Sequence, residues 1–222
     1  MASVLDRWPF SALEDTWVQD VYGDLYGTYW SWRTNTLETL RTLRFPATVR
    51  HRHGPRRVDA ASDDLIVTCL VRNGAPYIDE FIDHYRDLGA RHLVFLDNGS
   101  TDDTVSRAAR ASNTTVLSTE APFGTYKTIM KRYLISRFGG QNWVLCADID
   151  EFFDYPYADR VGLRAFLSYL NEHDYTAVAL QMLDMLPAGP LADIDSSASF
   201  REQHVYYDLS NITTHAYASN DW

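Results

Sequence analysis

The run Leu65-Ile66-Val67-Thr68-Cys69-Leu70, followed at once by Val71-Arg72-Asn73-Gly74, decides the fold of this chain. Its nearly unbroken apolar character has the length of a strand buried on both faces, and the polar loop behind it marks the strand's carboxyl end. Working outward, residues 76–88 carry Tyr77, Phe81, Tyr85 and Leu88 at helical spacing, with Pro76 at the entry and Gly89 at the exit. His92 to Leu96 is a second strand-like run. Ser100 with Asp103 three residues on has the form of a capping box, which predicts a helix carrying Val105, Ala108 and Ala109 on one face. Thr114 to Leu117 is a third strand, Tyr126, Met130 and Tyr133 line a helix stopped at Gly139-Gly140, and Trp143 to Ala147 is a fourth strand. Strands that alternate with helices run parallel, because a parallel connection needs a crossover. The expectation is an α/β fold with a Rossmann-like, doubly wound, mostly parallel sheet, helices on both faces, and the run 65–70 internal.

The chain has 222 residues, enough for one α/β domain with appended structure. A hydrophobic fraction of 45% with 23% charged residues excludes a disordered or fibrous class. The formal net charge of −10 argues against a nucleic-acid partner, since like charge repels the phosphate backbone. No apolar run is long enough for a transmembrane segment, and Asp6, Arg7, Glu14 and Asp15 rule out the apolar core of a signal peptide near the start. The expected location is cytoplasmic, either free or peripheral at a membrane. Cys69 and Cys146 sit in strand-like apolar runs and read as reduced core residues.

Residues 1–62 differ from the rest. They hold Trp8, Trp17, Trp30 and Trp32 without a strand-like run, and read as a helical, aromatic-rich N-terminal extension. Trp17, Val21, Leu25 and Tyr29 form a stripe expected to pack on a neighbouring domain. The extension ends in a basic cluster, Arg50, His51, Arg52, His53, Arg56 and Arg57, read as a solvated linker in preference to a ligand or lipid-headgroup contact. Residues 63–222 form the α/β domain.

In doubly wound sheets ligands collect at the carboxyl ends of the strands. Three polar loops lie at such ends: Val71-Arg72-Asn73-Gly74, Asp97-Asn98-Gly99-Ser100-Thr101-Asp102-Asp103, and Asp148-Ile149-Asp150-Glu151. Several carboxylates converging on one crevice need a compensating cation. In an extended segment residues two apart share a side, so Asp148 and Asp150 are expected to face one ion while Ile149 enters the core. Oxygen-only ligands suit Mg²⁺ or Mn²⁺, whose open positions accept water or phosphate oxygens. The competing reading of the tripeptide alone is a solvated loop or a helix cap.

Three segments, IVTCLVRNGAPYIDEFIDHYRDLGARH, LVFLDNGSTDDT and WVLCADIDEFF, occur in order between Leu65 and Phe153. Together they resemble glycosyltransferase family 2 and its neighbours with the GT-A fold. The resemblance implies metal-dependent transfer of a glycosyl group from a nucleotide-diphosphate sugar, most commonly a UDP-sugar, to an acceptor hydroxyl on a glycan, lipid-linked or protein acceptor. It further implies that Arg72 and Asn73 contact the nucleotide, that Asp97 hydrogen-bonds the base or ribose, and that Asp148 and Asp150 bind Mn²⁺ or Mg²⁺ with the ribose-diphosphate. Asp102 matches a residue that shapes the second loop, and Ser100, Asp102 and Asp103 are able to cap backbone N–H groups there. Lys127 and Lys131 are weighed as phosphate contacts but read as solvated helix residues.

Direct attack by the hydroxyl inverts the sugar carbon and needs a general base. No base is assigned: no Gln-x-x-Arg-Trp segment follows the metal motif, and Asp184, Asp193, Asp195, Glu202, His204, Asp208, His215 and Asp221 stand unranked, with His215 also weighed as a distant metal ligand. Leu163, Phe166, Leu167 and Leu170 predict a helix, Ala177 to Leu180 a strand, and residues 188–199 a mobile loop. Two alternatives compete: a catalytically inert nucleotide-sugar-binding or scaffold domain, and a nucleotidyltransferase, for which the loop after the first strand lacks the Gly-rich basic phosphate signature.

Overall fold

The computed structural model describes residues 36–190 and 199–208. The aromatic stripe at Trp17 to Tyr29, most of the loop expected at 188–199, and Asp193, Asp195, His215 and Asp221 lie outside the described residues. Within them a five-stranded sheet runs in the order β1-β4-β3-β2-β5, formed by β1 (Arg50–His53), β2 (Leu65–Val71), β3 (His92–Asp97), β4 (Thr114–Ser118) and β5 (Trp143–Cys146). Four of the five strands expected from the sequence are present and mutually parallel, and β2 is internal between β3 and β5. Burial of six of the seven residues of β2 explains why its run is apolar on both faces.

The fifth strand corrects the reading of the basic cluster. Arg50–His53 is not linker: it pairs antiparallel with β4, Arg50 opposite Ser118 and His51 opposite Leu117, with a register irregularity before His53. Arg52 Nε donates to Ser118 Oγ at 2.7 Å. The basic side chains are accommodated because β1 is an edge strand, where charge also discourages pairing with another chain.

The helices cover both faces, as expected. On one face α2 (Ile78–Leu88), α3 (Thr104–Arg110) and α5 (Leu163–Glu172) bury Phe81, Tyr85, Ala108 and Leu167 against Val67, Cys69, Leu93 and Phe95. On the other, α4 (Phe123–Phe138) sets Ile129, Met130 and Leu134 on Ile66, Val94 and Leu96, beside Phe45. Residues 36–44 form a helix, α1, that leads into Phe45. Helix α2 shows why local sequence specifies these elements: Ile78, Phe81, Ile82 and Tyr85 make one buried stripe. Gly89 then ends the helix with φ 100°, a left-handed conformation that suits glycine, its N–H donating to Arg86 O.

Two further expectations fail. The helix foreseen from Ser100 starts at Thr104, and no capping box forms; Asp102 accepts from Thr104 N–H at 3.1 Å instead. Residues 177–180 are exposed and form no strand, because no described strand lies alongside to supply hydrogen bonds. A separate two-stranded hairpin pairs β6 (Leu186–Pro187) with β7 (His204–Tyr206), preceded by the short helix α6 (Phe200–Gln203). Both cysteines are free thiols, as expected. No helix of the described residues is long and apolar enough to cross a membrane.

Candidate functional site

The chain builds β2, β3 and β4 outward in one direction, with α2 and α3 on one face, then returns across the other face through α4 to place β5 beside β2. The strand order thus reverses between β2 and β5, and the carboxyl ends of strands at such a switch point are where an open α/β sheet forms a crevice. The three polar loops converge there, and hydrogen bonds join the first two. Asn73 N–H donates to Ser100 Oγ at 2.8 Å, and Thr101 N–H donates to Asn73 Oδ1 at 2.9 Å. Asn73 adopts φ 54°, a left-handed conformation that asparagine tolerates better than most residues. Ala75 N–H reaches Asp102 Oδ2 at 3.1 Å.

Asp102 is thus the loop-shaping residue it was expected to be. Burial raises its pKa, but hydrogen bonds from the Thr104 hydroxyl and N–H and from Ala75 N–H outweigh that and hold it below the usual carboxylate range. Asp97 is 5% exposed, and its carboxylate accepts from Gly99 N–H and Ser100 N–H, both at 3.2 Å. A carboxylate has about four lone-pair positions, so this engagement leaves some acceptor capacity unused. Arg72 is exposed at the end of β2. Gly74 joins the first loop to the third: a Cβ there would stand 2.6 Å from Val71 Cγ2 and 3.2 Å from Ile149 Cγ1, closer than packing permits.

The third loop differs from its expected geometry. Residues 148–151 are not extended; Glu151 N–H donates to Asp148 O at 3.0 Å, closing a turn, and Glu151 Oε2 accepts from Asp148 N–H at 2.8 Å. Ile149 still packs against the core, as the alternation predicted. Asp150 is exposed and Asp148 half-buried, and the charges of both add to burial in pushing the Cys69 thiol beneath them upward. Lys131 is not simply solvated: its Nζ stands 3.2 Å from Asp148 Oδ1.

The turn is buttressed from α2 by two residues that sequence reasoning did not assign to the site. Tyr85, fully buried, donates its hydroxyl to Glu151 O at 2.9 Å and accepts from Phe153 N–H at 3.1 Å. His84 Nε2 lies 2.8 Å from Phe153 O, and burial lowers its pKa. Periodicity marks Tyr85 as core, but nothing local reveals that its hydroxyl reaches a turn more than sixty residues downstream. A further unforeseen clamp is Glu80, whose carboxylate accepts from Ser199 Oγ at 2.7 Å, Phe200 N–H at 3.0 Å and Arg201 N–H at 3.1 Å. It holds α6 where Phe200 stacks on Phe152, the residue following the turn.

Among the described residues no group of three or more His, Cys, Asp or Glu side chains converges to hold a metal ion. Asp148 and Asp150 alone fit the donor chemistry of Mg²⁺ or Mn²⁺, which are bound by one or two carboxylates with water and substrate phosphate filling the remaining positions. A cleft of about 400 Å³ lies at the opposite, amino end of β3 and β4, between Gly54, Arg57, Arg91 and Asn113. It shares no residue with the three loops. No protein-family model matches the chain, and no curated protein matches it.

Proposed function

We propose that the chain transfers a glycosyl group from a nucleotide-diphosphate sugar, most simply a UDP-sugar, to an acceptor hydroxyl, with a GT-A-type domain providing the donor crevice. The convergence of Arg72, Asn73, Asp97 and the Asp148–Glu151 turn at one topological switch point carries this proposal, since that is where an α/β sheet binds nucleotides. Arg72 and Lys131 supply positive charge toward the diphosphate. Asn73 and Asp97 set the wall facing the nucleoside, Asp97 with the acceptor capacity that its loop contacts leave over. Asp148 and Asp150 hold Mn²⁺ or Mg²⁺, and such an ion, when bound, supplies Lewis-acid stabilisation of the charge that grows on the departing diphosphate. The Gly74–Ile149 contact and the Tyr85 hydroxyl keep the turn in place under that load. Direct attack by the hydroxyl gives inversion.

The test is incubation with a panel of nucleotide sugars and Mn²⁺, scoring release of nucleoside diphosphate. Release from at least one donor, lost in Asp150→Ala, is the expected outcome. Saturable binding with no turnover of any donor would make the domain a nucleotide-sugar-binding module instead, and absence of binding would remove the crevice as a donor site.

A further inference from the structure

The segment 36–58 and helix α4 together hold ten Lys or Arg and one Glu, in a chain with twenty basic and thirty acidic residues overall. The structure sets α1 and Phe45 against α4 on one face of the sheet, with Arg50–His53 as the adjoining edge strand and Arg56 and Arg57 beyond it, at the sheet's amino end. Phe45 packs on Tyr126 and Tyr133 of α4, Arg132 pairs with Glu38 at 2.8 Å, and Arg137 Nη2 donates to Arg56 O at 3.4 Å. Only Lys131 turns to the crevice, where it meets Asp148. Arg41, Arg44, Arg56, Arg57, Lys127 and Arg137 are exposed and have no carboxylate partner among the described residues; elsewhere on the surface Arg86, Arg91, Arg107 and Arg164 each have an Asp, while Arg72, Arg110 and Arg201 stand without one singly and not as a cluster. Among the described residues, a chain of net charge −10 places no carboxylate in an ion pair with the clustered positions.

The same face exposes apolar side chains. Leu37, Leu40 and Leu43 follow one another at three-residue spacing on α1, interleaved with Arg41 and Arg44, and Leu43 is 72% exposed. Ile135 is exposed on α4 nearby in the chain to Arg137. Basic residues flanking an exposed apolar stripe match the surface of an anionic bilayer, which offers negative headgroups and, just beneath them, hydrocarbon. A soluble polyanion would satisfy the arginines and leave the leucines in water. We infer that this face docks on an anionic lipid surface, α1 resting in the headgroup layer with Arg56, Arg57 and Arg137 against the lipid charges. The inference is independent of glycosyl transfer: it uses none of the crevice residues.

The full chain is mixed with vesicles of phosphatidylcholine alone, or with roughly a third phosphatidylserine, and sedimented. It pellets with the anionic vesicles at low salt, stays in solution with the neutral ones, and is released as salt approaches about 0.5 M. Replacing Arg56, Arg57 and Arg137 together by Gln weakens binding about 100-fold, at roughly fivefold per charge. Leu43→Ser weakens it about tenfold and leaves the salt dependence unchanged. The salt series on the unmodified protein needs no variant to fold, and circular dichroism of each variant checks its integrity. Equal pelleting with both vesicle types, or none with either, overturns the inference. So does capture by soluble poly-glutamate that Leu43→Ser does not weaken, which would identify an acidic polymer, or a concentration-dependent dimer lost in Leu43→Ser, which would identify a second copy.

Discussion

Tyr85→Phe isolates the hydroxyl that ties the candidate site to the core. The ring of Tyr85 is fully buried and packs edge-on against Phe81 at 4.7 Å between centroids, contacts that phenylalanine keeps. What disappears is one oxygen, which donates to Glu151 O and accepts from Phe153 N–H. Each backbone group left without a partner costs about 1–3 kcal/mol, and both sit in half-buried positions where water gives some relief, so the expected loss is about 2–4 kcal/mol. In urea, with a slope of about 2–3 kcal/mol per molar, that lowers the unfolding midpoint by roughly 1 M without changing the slope. Because the lost bonds hold residues 151 and 153, donor affinity falls along with stability. A loss below about 0.5 kcal/mol would refute the reasoning, since it would mean that the turn finds equivalent partners without α2.

Asp150→Ala should show the opposite signature: the side chain is exposed, so thermal unfolding stays within about 0.5 kcal/mol of the parent, while Mn²⁺-dependent binding of a nucleoside diphosphate in calorimetry is lost. Asp97→Ala orphans the Gly99 and Ser100 N–H groups and should cost about 1.5–3 kcal/mol by urea unfolding while Mn²⁺ still binds; loss of the metal with unchanged stability would reverse these two roles. Gly74→Ala brings a methyl within 2.6 Å of Val71 Cγ2, so stability should drop by about 1–3 kcal/mol with a parallel loss of donor affinity, and an unaffected variant would show that the Ile149 turn is free to move. His92 is 5% exposed, and burial, with Arg91 nearby, lowers its pKa from 6.5 to about 4. The unfolded chain therefore binds more protons between those values, so the contribution is complete above about pH 6.5 and is lost as pH falls toward 4. His92→Gln should flatten the stability profile across that window, by about 2–3 kcal/mol at its acid end. An unchanged slope would place the proton uptake elsewhere.

The parallel strands were legible because a strand buried on both faces has to be mostly apolar, and β2 satisfies that condition at every position but Thr68, with Leu70 alone partly exposed. β1 was not, because Arg-His-Arg-His on a sheet edge is held by backbone pairing with β4 and carries no apolar signal. The site was legible in residue type and not in shape. Three polar loops after strands identify the crevice, but whether Asp148 and Asp150 stand on an extended segment or a turn depends on Glu151 capping Asp148 and on Tyr85 gripping Glu151. Residues 177–180 failed for the converse reason: their apolar character suits a strand, yet a strand exists only where a neighbour pairs with it.

Lys131 links the crevice to the charge pattern of the whole molecule. Helix α4 contains no acidic residue, and its buried stripe of Ile129, Met130, Leu134 and Phe138 fixes the rotation that aims Lys131 at Asp148 and leaves Lys127 and Arg132 outward. A helical wheel assigns Lys131 to the polar side without saying what lies there, because the partner comes from β5 after the chain has crossed the sheet. With Asp148, Asp150 and Glu151 gathered within four residues, one lysine offsets a single negative charge of three. The remaining negative potential favours a divalent cation over a bare diphosphate.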